Sequence, residues 1–350
     1  MYIDEAFMRR ALQLAAFGRG KVSPNPMVGA VIVDAQGRII GEGYHRRYGG
    51  PHAEVNAVNS VADESLLRDS TIYVTLEPCS HYGKTPPCAK LLIDKCLTRV
   101  VVGTLDPFPK VSGRGVAMLR DAGIEVVTGV LDEECRAINR RFMTAHKNQR
   151  PYVLLKWAES ADGYLDAVRT AGDGGEPCVI SNSLSSLFMH SGRAAVDAIL
   201  VGAGTVAMDN PSLTVRRWNC RKQPLRVVLD ARLSSPLRSK LLTDGLPTIV
   251  YNSSVDKTVG AVEYVQLDTT DIGALLADLY RRGITSLMVE GGACVLKQFI
   301  AADKWDEARV ETGTGIFGGG VVAPVIKGIV TNEEQYGFNK VKTIRNSVKY

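Results

Sequence analysis

One histidine and two cysteines in the N-terminal third of the chain have the residue types and the order of a metal site. His52 opens a predicted helix, Cys79 follows a predicted strand, and Cys88 begins the next predicted helix. An imidazole and two thiolates are zinc ligands, and three protein ligands leave the fourth tetrahedral position open to water. The three residues therefore predict a catalytic zinc site with one ion per chain.

A carboxylate, Glu54, lies close to the predicted histidine ligand. Zinc lowers the pKa of bound water to about 7, and a nearby carboxylate can take its proton and deliver protons to a ring nitrogen and a leaving amine. The order His-x-Glu, then Pro-Cys and a second cysteine, is typical of zinc deaminases. The alternative is a structural zinc site closed by His81 or Cys96, which would give Glu54 no role. We therefore expect hydrolytic deamination with Glu54 as the catalytic residue.

Composition and charge limit what the whole chain can be. Its 350 residues suffice for two domains, and 45% hydrophobic with 23% charged residues is typical of a globular protein. The net charge of +5 is spread along the chain, without the basic stripe of a nucleic-acid-binding protein. No apolar stretch predicts a transmembrane helix, and the N-terminus lacks a signal-peptide pattern. We expect a cytoplasmic protein whose seven cysteines are free thiols or metal ligands.

The elements that must position these residues alternate between helix and strand. In the first half, the pattern predicts an amphipathic helix, a hairpin over residues 28–44, and alternating helices and strands up to residue 128. This order is typical of an α/β domain. A polar, basic segment ending at Pro151 separates it from a second α/β half. The predicted domains are residues 1–147 and 148–350.

Two glycine-rich turns in the second half are candidates for cofactor binding. Residues 202–207 (GAGTVA) have the spacing of a dinucleotide-binding motif, but residues 208–211 (MDNP) would break the long helix that the motif needs. Residues 289–292 (VEGG) are better placed, because a strand leads into the glycines and then into a helix over residues 294–300. The N-terminus of that helix could bind a pyrophosphate. An ordinary strand-to-helix turn is the alternative.

Three motifs in the first half of the chain resemble those of a known family. Residues 23–31 (SPNPMVGAV), 52–54 (HAE) and 78–88 (PCSHYGKTPPC) closely resemble the deaminase half of the bifunctional riboflavin-biosynthesis deaminase/reductases. The resemblance implies a cytidine-deaminase-like three-layer α/β domain that acts on a free phosphoribosylaminopyrimidine. Its substrate positions fall on Asn25, Lys84 and Asp106, whereas Phe108 stands where the family usually has Asn. Nucleic-acid deaminases have Cys-x-x-Cys instead, so the alternative of a tRNA-type deaminase with an accessory domain is disfavoured.

The second half resembles the reductase domain of the same family, whose α/β fold is similar to dihydrofolate reductase. The resemblance rests on residues 156–158, 162–163, 193–194, 197–202, 204–205, 209–211, 213–216 and 290–292. It implies NADPH as the cofactor that reduces the ribosyl group. The family's substrate positions fall on Lys156, Arg193, Leu213, Arg216 and Glu290. Its cofactor positions fall on Ala158, Thr205, Asp209, Gly292, Ala293, Cys294, Val295, Leu296, Lys297 and Gln298.

Three residues of this half depart from the family pattern. Pro177, Val179 and Ala231 stand where the family commonly has Ser, Trp and Ser. Guanidinium groups such as those of Arg193 and Arg216 suit a sugar phosphate, with surface ion pairing as the alternative. The resemblance implies small-molecule phosphoribosylaminopyrimidines as the partners. We also expect a homo-oligomer that binds neither nucleic acid nor membrane.

Overall fold

The computed structural model describes residues 2–82, 86–108, 112–169, 176–220 and 222–347. The chain divides into two compact units, the first ending at Gln149 and the second beginning at Arg150. In the described part, no helix is long and apolar enough to cross a membrane.

The first unit combines short helices with a mixed sheet. Its helices are α1 (Tyr2–Ala16), α2 (Ala53–Val58), α3 (Cys88–Asp94), α4 (Arg114–Asp121), α5 (Asp132–Ile138) and α6 (Arg140–Asn148). Its strands are β1 (Gly29–Val33), β2 (Ile39–Tyr44), β3 (Thr71–Leu76), β4 (Arg99–Thr104) and β5 (Glu125–Thr128). A 3₁₀ helix covers Glu64–Leu67. The predicted hairpin and the predicted alternation of helices and strands are confirmed.

The sheet of the first unit has the order β2-β1-β3-β4-β5 and lies between two helical layers. The pairs β1–β2 and β1–β3 are antiparallel, whereas β3–β4 and β4–β5 are parallel. Because side chains alternate between the faces of a strand, Ile72 and Val74 pack with residues of α2, α3 and α4. Tyr73 packs on the other face with residues of α1 and α5. The parallel strands end at one edge of the sheet, where α2 and α3 begin.

The second unit is built on a longer sheet. Its helices are α7 (Ser183–Ala194), α8 (Ala203–Asp209), α9 (Lys240–Thr243), α10 (Ile272–Arg281) and α11 (Ala293–Ala301). Its strands are β6 (Tyr152–Glu159), β7 (Tyr164–Asp166), β8 (Ala198–Gly202), β9 (Leu225–Leu229), β10 (Thr248–Asn252), β11 (Lys257–Val259), β12 (Val262–Gln266), β13 (Ser286–Gly291), β14 (Glu307–Thr312), β15 (Val321–Val322), β16 (Ile329–Tyr336) and β17 (Asn339–Arg345).

The large sheet has the order β11-β12-β10-β9-β8-β13-β6-β14-β17-β16. In this order, all neighbouring strands from β12 through β10, β9, β8, β13 and β6 to β14 are parallel. Strands β17 and β16 then extend the sheet with antiparallel pairing. Apolar residues of α10 and α11 cover one face, and residues of α8 and α9 contribute to the core on the other. The predicted α/β organisation of the second half is confirmed. The antiparallel extension was not predicted from the sequence.

The rejection of a dinucleotide-binding motif at residues 202–207 is supported by the length of α8. This helix has seven residues and ends at Asp209, and Asn210 adopts a left-handed conformation with φ of 40°. Such a backbone ends a helix. The better placed glycine turn also has the expected form, because β13 leads through Gly292 into the nine residues of α11.

Candidate functional site

The first unit brings its three predicted metal ligands together. His52 is the residue before α2, Cys79 follows β3, and Cys88 is the first residue of α3. The amide of Cys88 donates a hydrogen bond of 3.3 Å to Cys79 Sγ, and the amide of Ala89 donates one of 3.1 Å to the Cys79 carbonyl. These bonds fix the start of α3 against the end of β3, so both sulfurs face the same side as the imidazole.

The distances within this group fit a zinc ion. His52 Nδ1 lies 3.6 Å from Cys79 Sγ and 3.3 Å from Cys88 Sγ. At zinc bond lengths of about 2.0 Å to nitrogen and about 2.3 Å to sulfur, two tetrahedral ligands lie about 3.5 Å apart. Hydrogen bonding to the Cys88 thiol lowers the pKa of Cys79 to about 4, which favours the thiolate that a metal needs.

The alternative fourth ligands lie outside this group. Among the described residues, the only cluster of three or more histidine, cysteine or carboxylate groups close enough to share a metal ion consists of His52, Cys79 and Cys88. His81 and Cys96 are both exposed. Among the residues that the structure describes, the arrangement therefore has the three ligands of a catalytic zinc site and no fourth ligand of a structural one.

Glu54 lies in the first turn of α2 and is only 3% exposed. Burial raises the pKa of its carboxyl to about 7, and the side chain contacts the Cys88 thiol. A carboxyl with a pKa near neutrality can both accept and release a proton in the same catalytic cycle. This environment suits the proton-transfer role predicted from its position after His52.

Asn25 is held by a histidine that sequence analysis did not single out. Its Nδ2 lies 3.1 Å from His45 Nε2, and His45 Nδ1 lies 2.9 Å from the carbonyl of Pro51. Because a carbonyl only accepts, His45 Nδ1 carries the proton and Nε2 accepts from Asn25. His45 is 3% exposed, and its ring packs edge-on against His52 at 5.7 Å between centroids. Asn25 is thereby placed near the metal ligands.

Asp106 is positioned by a buried carboxylate, Glu77, which sequence analysis also missed. Glu77 accepts hydrogen bonds from the backbone amides of Asp106, Gly113, Gly115 and Val116, at 2.9 to 3.2 Å. A Cβ on Gly115 would lie 2.0 Å from the Pro78 carbonyl, so only glycine allows this approach. The one available signal was that Glu77 directly precedes Pro78-Cys79.

Two of the other residues predicted for this substrate site, Asp106 and Phe108, lie in the described part of the chain. Burial raises the pKa of Asp106, whose Oδ1 accepts a hydrogen bond of 2.8 Å from the Phe108 amide. Phe108, which replaces the family's Asn, contacts His146 edge-on at 6.3 Å between centroids. Lys84 lies outside the described residues.

In the second unit, Lys156 and Glu290 lie on neighbouring strands, β6 and β13. Burial lowers the pKa of Lys156 below its ordinary value, against the attraction of Glu290 and Glu311. Arg193, in the last turn of α7, donates two hydrogen bonds to the Glu290 carboxylate, at 2.7 and 2.6 Å. Burial alone would raise the pKa of Glu290, but Arg193 holds it below its usual range. Three predicted substrate residues are thus brought together.

The remaining predicted substrate residues lie on the loop before β9. Arg216 is exposed, and its guanidinium donates to the Thr214 hydroxyl at 3.1 Å and to the Ser212 hydroxyl. Arg193 also donates to the Thr214 carbonyl at 3.2 Å, which joins this loop to the ion pair. Leu213, by contrast, is 2% exposed and packs in the hydrophobic core with a φ of 51°. Its side chain therefore packs the loop against the hydrophobic core.

The predicted cofactor residues gather where β8 and β13 end. A Cβ on Gly292 would lie 3.2 Å from Thr205 Oγ1, and one on Gly202 would lie 2.7 Å from Val295 Cγ2. The starts of α8 and α11 are therefore close together. Glycine precedes each helix and offers no side-chain cap, so first-turn amides can bind the phosphates of a dinucleotide. Ala158 lies on the adjacent strand β6.

Asp209, the remaining predicted cofactor residue, is paired with a residue that sequence analysis missed. Arg169 Nη2 lies 2.6 Å from Asp209 Oδ1, and Arg169 also pairs with Asp166. Two of the residues that depart from the family pattern have different settings: Val179 is 88% exposed, and the Ala231 carbonyl accepts from the Ser253 amide at 3.1 Å.

Both units match known protein families. The family of the cytidine and deoxycytidylate deaminase zinc-binding region matches residues 1–104. The family of the RibD C-terminal domain matches residues 151–350. The riboflavin biosynthesis protein RibD of Bacillus amyloliquefaciens is 41% identical over 336 residues, covering 93% of this chain and 88% of the relative. RibD of Aquifex aeolicus is 42% identical, covering 91% and 89%.

Solved structures give the same result. A diaminohydroxyphosphoribosylaminopyrimidine deaminase/5-amino-6-(5-phosphoribosylamino)uracil reductase from Thermotoga maritima superposes with a TM-score of 0.87 at 39% identity, covering 99% of both chains. RibD of Acinetobacter baumannii also gives a TM-score of 0.87, at 31% identity and 98% and 99% coverage. With both units matched and the sequence covered almost end to end, the chain belongs to the family of bifunctional riboflavin-biosynthesis deaminase/reductases, two-domain α/β enzymes that use zinc and NADPH.

Proposed function

We propose that the first unit deaminates 2,5-diamino-6-(5-phosphoribosylamino)pyrimidin-4-one and that the second unit then reduces the ribosyl group of the product to ribityl. The observation that carries this proposal is the group of His52, Cys79 and Cys88 beside the buried Glu54. Three ligands and one buried acid are what hydrolytic deamination requires. The activity of the similar deaminase/reductase from Thermotoga maritima supports this choice of substrate.

The deaminase mechanism rests on Glu54. Zinc held by His52, Cys79 and Cys88 would lower the pKa of a water molecule to about 7 and make it a nucleophile. Glu54 accepts a proton from the attacking water and passes it to the ring nitrogen. It then takes a second proton from the hydroxyl group that has added to the ring and delivers it to the departing amine, so that ammonia leaves as the C–N bond breaks.

Three residues bind the deaminase substrate in this proposal. The hydrogen bond to His45 uses one amide hydrogen of Asn25, which leaves its Oδ1 and second hydrogen for the pyrimidine edge. Asp106 binds an amine of the ring, and Lys84 binds the phosphate as a compact positive charge.

The reductase mechanism uses the charged cluster on β6, β13 and α7. NADPH supplies a hydride to C1′ of the ribosyl group when bound. Lys156 lies close to the reacting sugar, and its lowered pKa suits it to protonate the ring oxygen as the ring opens. Glu290 accepts from sugar hydroxyls, while Arg193 and Arg216 bind the phosphate and Leu213 supports their loop.

The cofactor occupies the region where α8 and α11 begin. Its phosphates and the adjoining ribose are bound by Thr205 and by residues 292–298, which are Gly292, Ala293, Cys294, Val295, Leu296, Lys297 and Gln298. Ala158 contacts the nicotinamide side, and Asp209 completes the pocket next to Arg169.

The wider organisation follows the same proposal. Residues 1–147 form the deaminase domain and residues 148–350 the reductase domain. The substrates are free small molecules and not nucleic acids, and the chain is a cytoplasmic homo-oligomer. Light scattering of the purified protein measures the number of chains in the assembly.

One assay tests the proposal as a whole. The zinc-loaded protein is given the diamino substrate while ammonia release is followed, and NADPH is then added while its oxidation is followed. We expect ammonia release first and NADPH oxidation second. Release of ammonia from a tRNA or a single-stranded oligonucleotide, with none from the diamino substrate, would instead favour a nucleic-acid deaminase.

A further inference from the structure

A second buried carboxylate, Glu311, lies beside the strand that carries Lys156. Glu311 is on β14 and is 3% exposed. In the parallel pairing of β14 with β6, Arg309 is opposite Lys156 and Glu311 is opposite Ala158. On the other side of β6, strand β13 carries Glu290. The strand of the reductase lysine is thus flanked by one buried carboxylate on each neighbouring strand.

One oxygen of Glu311 accepts a hydrogen bond from the segment that precedes α7, and the other accepts one from Asn339 on β17. Ser181 Oγ donates a hydrogen bond of 2.7 Å to Glu311 Oε2, and Asn339 Nδ2 donates one of 2.6 Å to Oε1. Asn339 Nδ2 also lies 2.9 Å from the carbonyl of Ile180. Glu311 and Asn339 together therefore hold two consecutive residues of this segment on the sheet.

The next residue of the segment, Asn182, is also held by hydrogen bonds. Asn182 Nδ2 donates to the Tyr336 carbonyl at 2.6 Å, and Asn182 Oδ1 caps α7 by accepting from the amides of Leu184 and Ser185. A Cβ on Gly313 would lie 2.9 Å from Ile180 Cγ2, so the segment lies directly on the loop after β14. Residues 180–182, which we call the 180–182 segment, set where α7 begins.

Helix α7 is consequently held by a carboxylate near each end. Glu290 pairs with Arg193 in its last turn, and Glu311 binds Ser181 just before its first turn. Lys156, Ser185 and Glu311 line the same cavity between α7 and the sheet. The two carboxylates thereby fix the helix that covers Lys156.

We propose that Glu311 is a positioning residue of the reductase, which holds the 180–182 segment and the start of α7 over Lys156. This inference rests on the proposed function of Lys156 in the reduction. Pro177 and Val179 precede this segment and replace the family's Ser and Trp. In this chain, the segment is placed by hydrogen bonds from the sheet and not by those two side chains.

The experiment compares Glu311→Ala with Glu311→Gln in the full-length protein. Alanine removes both hydrogen bonds. Glutamine keeps an acceptor for Asn339 and a donor for the Ser181 oxygen. We expect Glu311→Ala to lower kcat/KM for reduction at least tenfold, chiefly through kcat, and Glu311→Gln to stay within about threefold of the parent. Ser181→Ala, which removes one bond, should fall between them.

Two controls separate positioning from a general loss of structure. Deamination by the same preparations should not change, and Glu333→Ala, which removes an exposed carboxylate on β16, should reduce at the parent rate. Parent-like reduction by both Glu311→Ala and Ser181→Ala would overturn the inference. So would an equal loss in Glu311→Ala and Glu311→Gln. Lys156→Met is measured in parallel: if it retains reduction, the proposed function of Lys156 fails, independently of the Glu311 result.

Discussion

The two candidate sites of this chain are assembled in different ways. In the first unit, His52, Cys79 and Cys88 share one role. Each lies at the end of a short helix or strand, so the distances among them depend on where these three elements begin or end. In the second unit, Arg193 and Glu290 are 97 residues apart in sequence and neutralise each other in the fold. A metal site restricts residue types strongly enough to be visible in a sequence. An ion pair uses common residues, and its partner becomes apparent only after folding.

The largest effect is expected from Glu54→Gln. Glutamine keeps the size of the side chain but cannot accept a proton, so deamination should fall by about 10²- to 10⁴-fold. Zinc content, measured by atomic absorption, should stay at one ion per chain because no ligand has changed. Ammonia release reports the rate, with Glu64→Gln, an exposed carboxylate paired to Lys95, as the matched control. Deamination at the parent rate would remove Glu54 from the mechanism.

Glu290→Ala should affect both chemistry and stability, which distinguishes the second site from the first. The Arg193 and Glu290 side chains are 10% and 11% exposed, and removing one partner leaves a buried charge unpaired. Breaking such a pair typically costs about 3–5 kcal/mol. We expect loss of NADPH oxidation and a lower unfolding midpoint in thermal denaturation.

Combining Glu290→Ala with Arg193→Met tests the cause of that instability. The double variant should regain much of the lost stability, because no buried charge is left unpaired, but it should not regain reduction. If Glu290→Ala were as stable as the parent, the ion pair would not be the structural element that the geometry indicates.

A smaller effect is expected from Arg216→Ala, because this residue is exposed and its guanidinium donates to the hydroxyl groups of Ser212 and Thr214. Losing a charge-assisted phosphate contact costs about 1.5–3 kcal/mol, which corresponds to roughly tenfold or more in binding. The phosphate is remote from C1′, so KM for reduction should rise while kcat changes less. Deamination should be unaffected. An unchanged KM would return Arg216 to the alternative of a surface charge.

The smallest effect concerns pH and the packing of α1. The Arg99 guanidinium, at 2.8 Å from Asp4, holds the pKa of the Asp4 carboxyl below its usual range. The stability it contributes is therefore present above the unfolded pKa of about 3.9 and is lost as the pH falls through the lower folded value. Arg99→Gln should be less stable than the parent by about 1 kcal/mol at pH 7. In urea unfolding at several pH values, that difference should shrink below about pH 4 and not grow.

Much of the first site could be predicted from the sequence. The ligand set and Glu54 follow from residue types and order, and the structure brings these four residues together. Glu77 and His45 were missed because each acts on backbone groups or on a neutral amide, and such partners leave no spacing pattern. Glu77 binds four amides that lie 29 to 39 residues further along the chain.

Less of the second site could be predicted. The parallel strands were visible as apolar runs, but β14, β16 and β17 contain many polar residues, and the antiparallel pairing of β14 with β17 joins residues that are 28 to 38 positions apart in sequence. Glu311 lies on this missed part of the sheet, and its partners Ser181 and Asn339 are 130 and 28 residues away in sequence. No local pattern could connect them. Leu213 also shows that a position inferred from resemblance can act through the core.

We infer that the two activities rest on two separate sets of residues in one chain. The most direct measurement gives Glu54→Gln and Lys156→Met, each as full-length protein, both the diamino substrate and its deaminated product. Glu54→Gln should release ammonia about 10²- to 10⁴-fold more slowly than the parent, yet oxidise NADPH with the deaminated product at the parent rate. Lys156→Met should release ammonia at the parent rate but should not oxidise NADPH. A mixture of the two variants should carry out both steps in sequence. Loss of both activities in either folded variant would contradict the account.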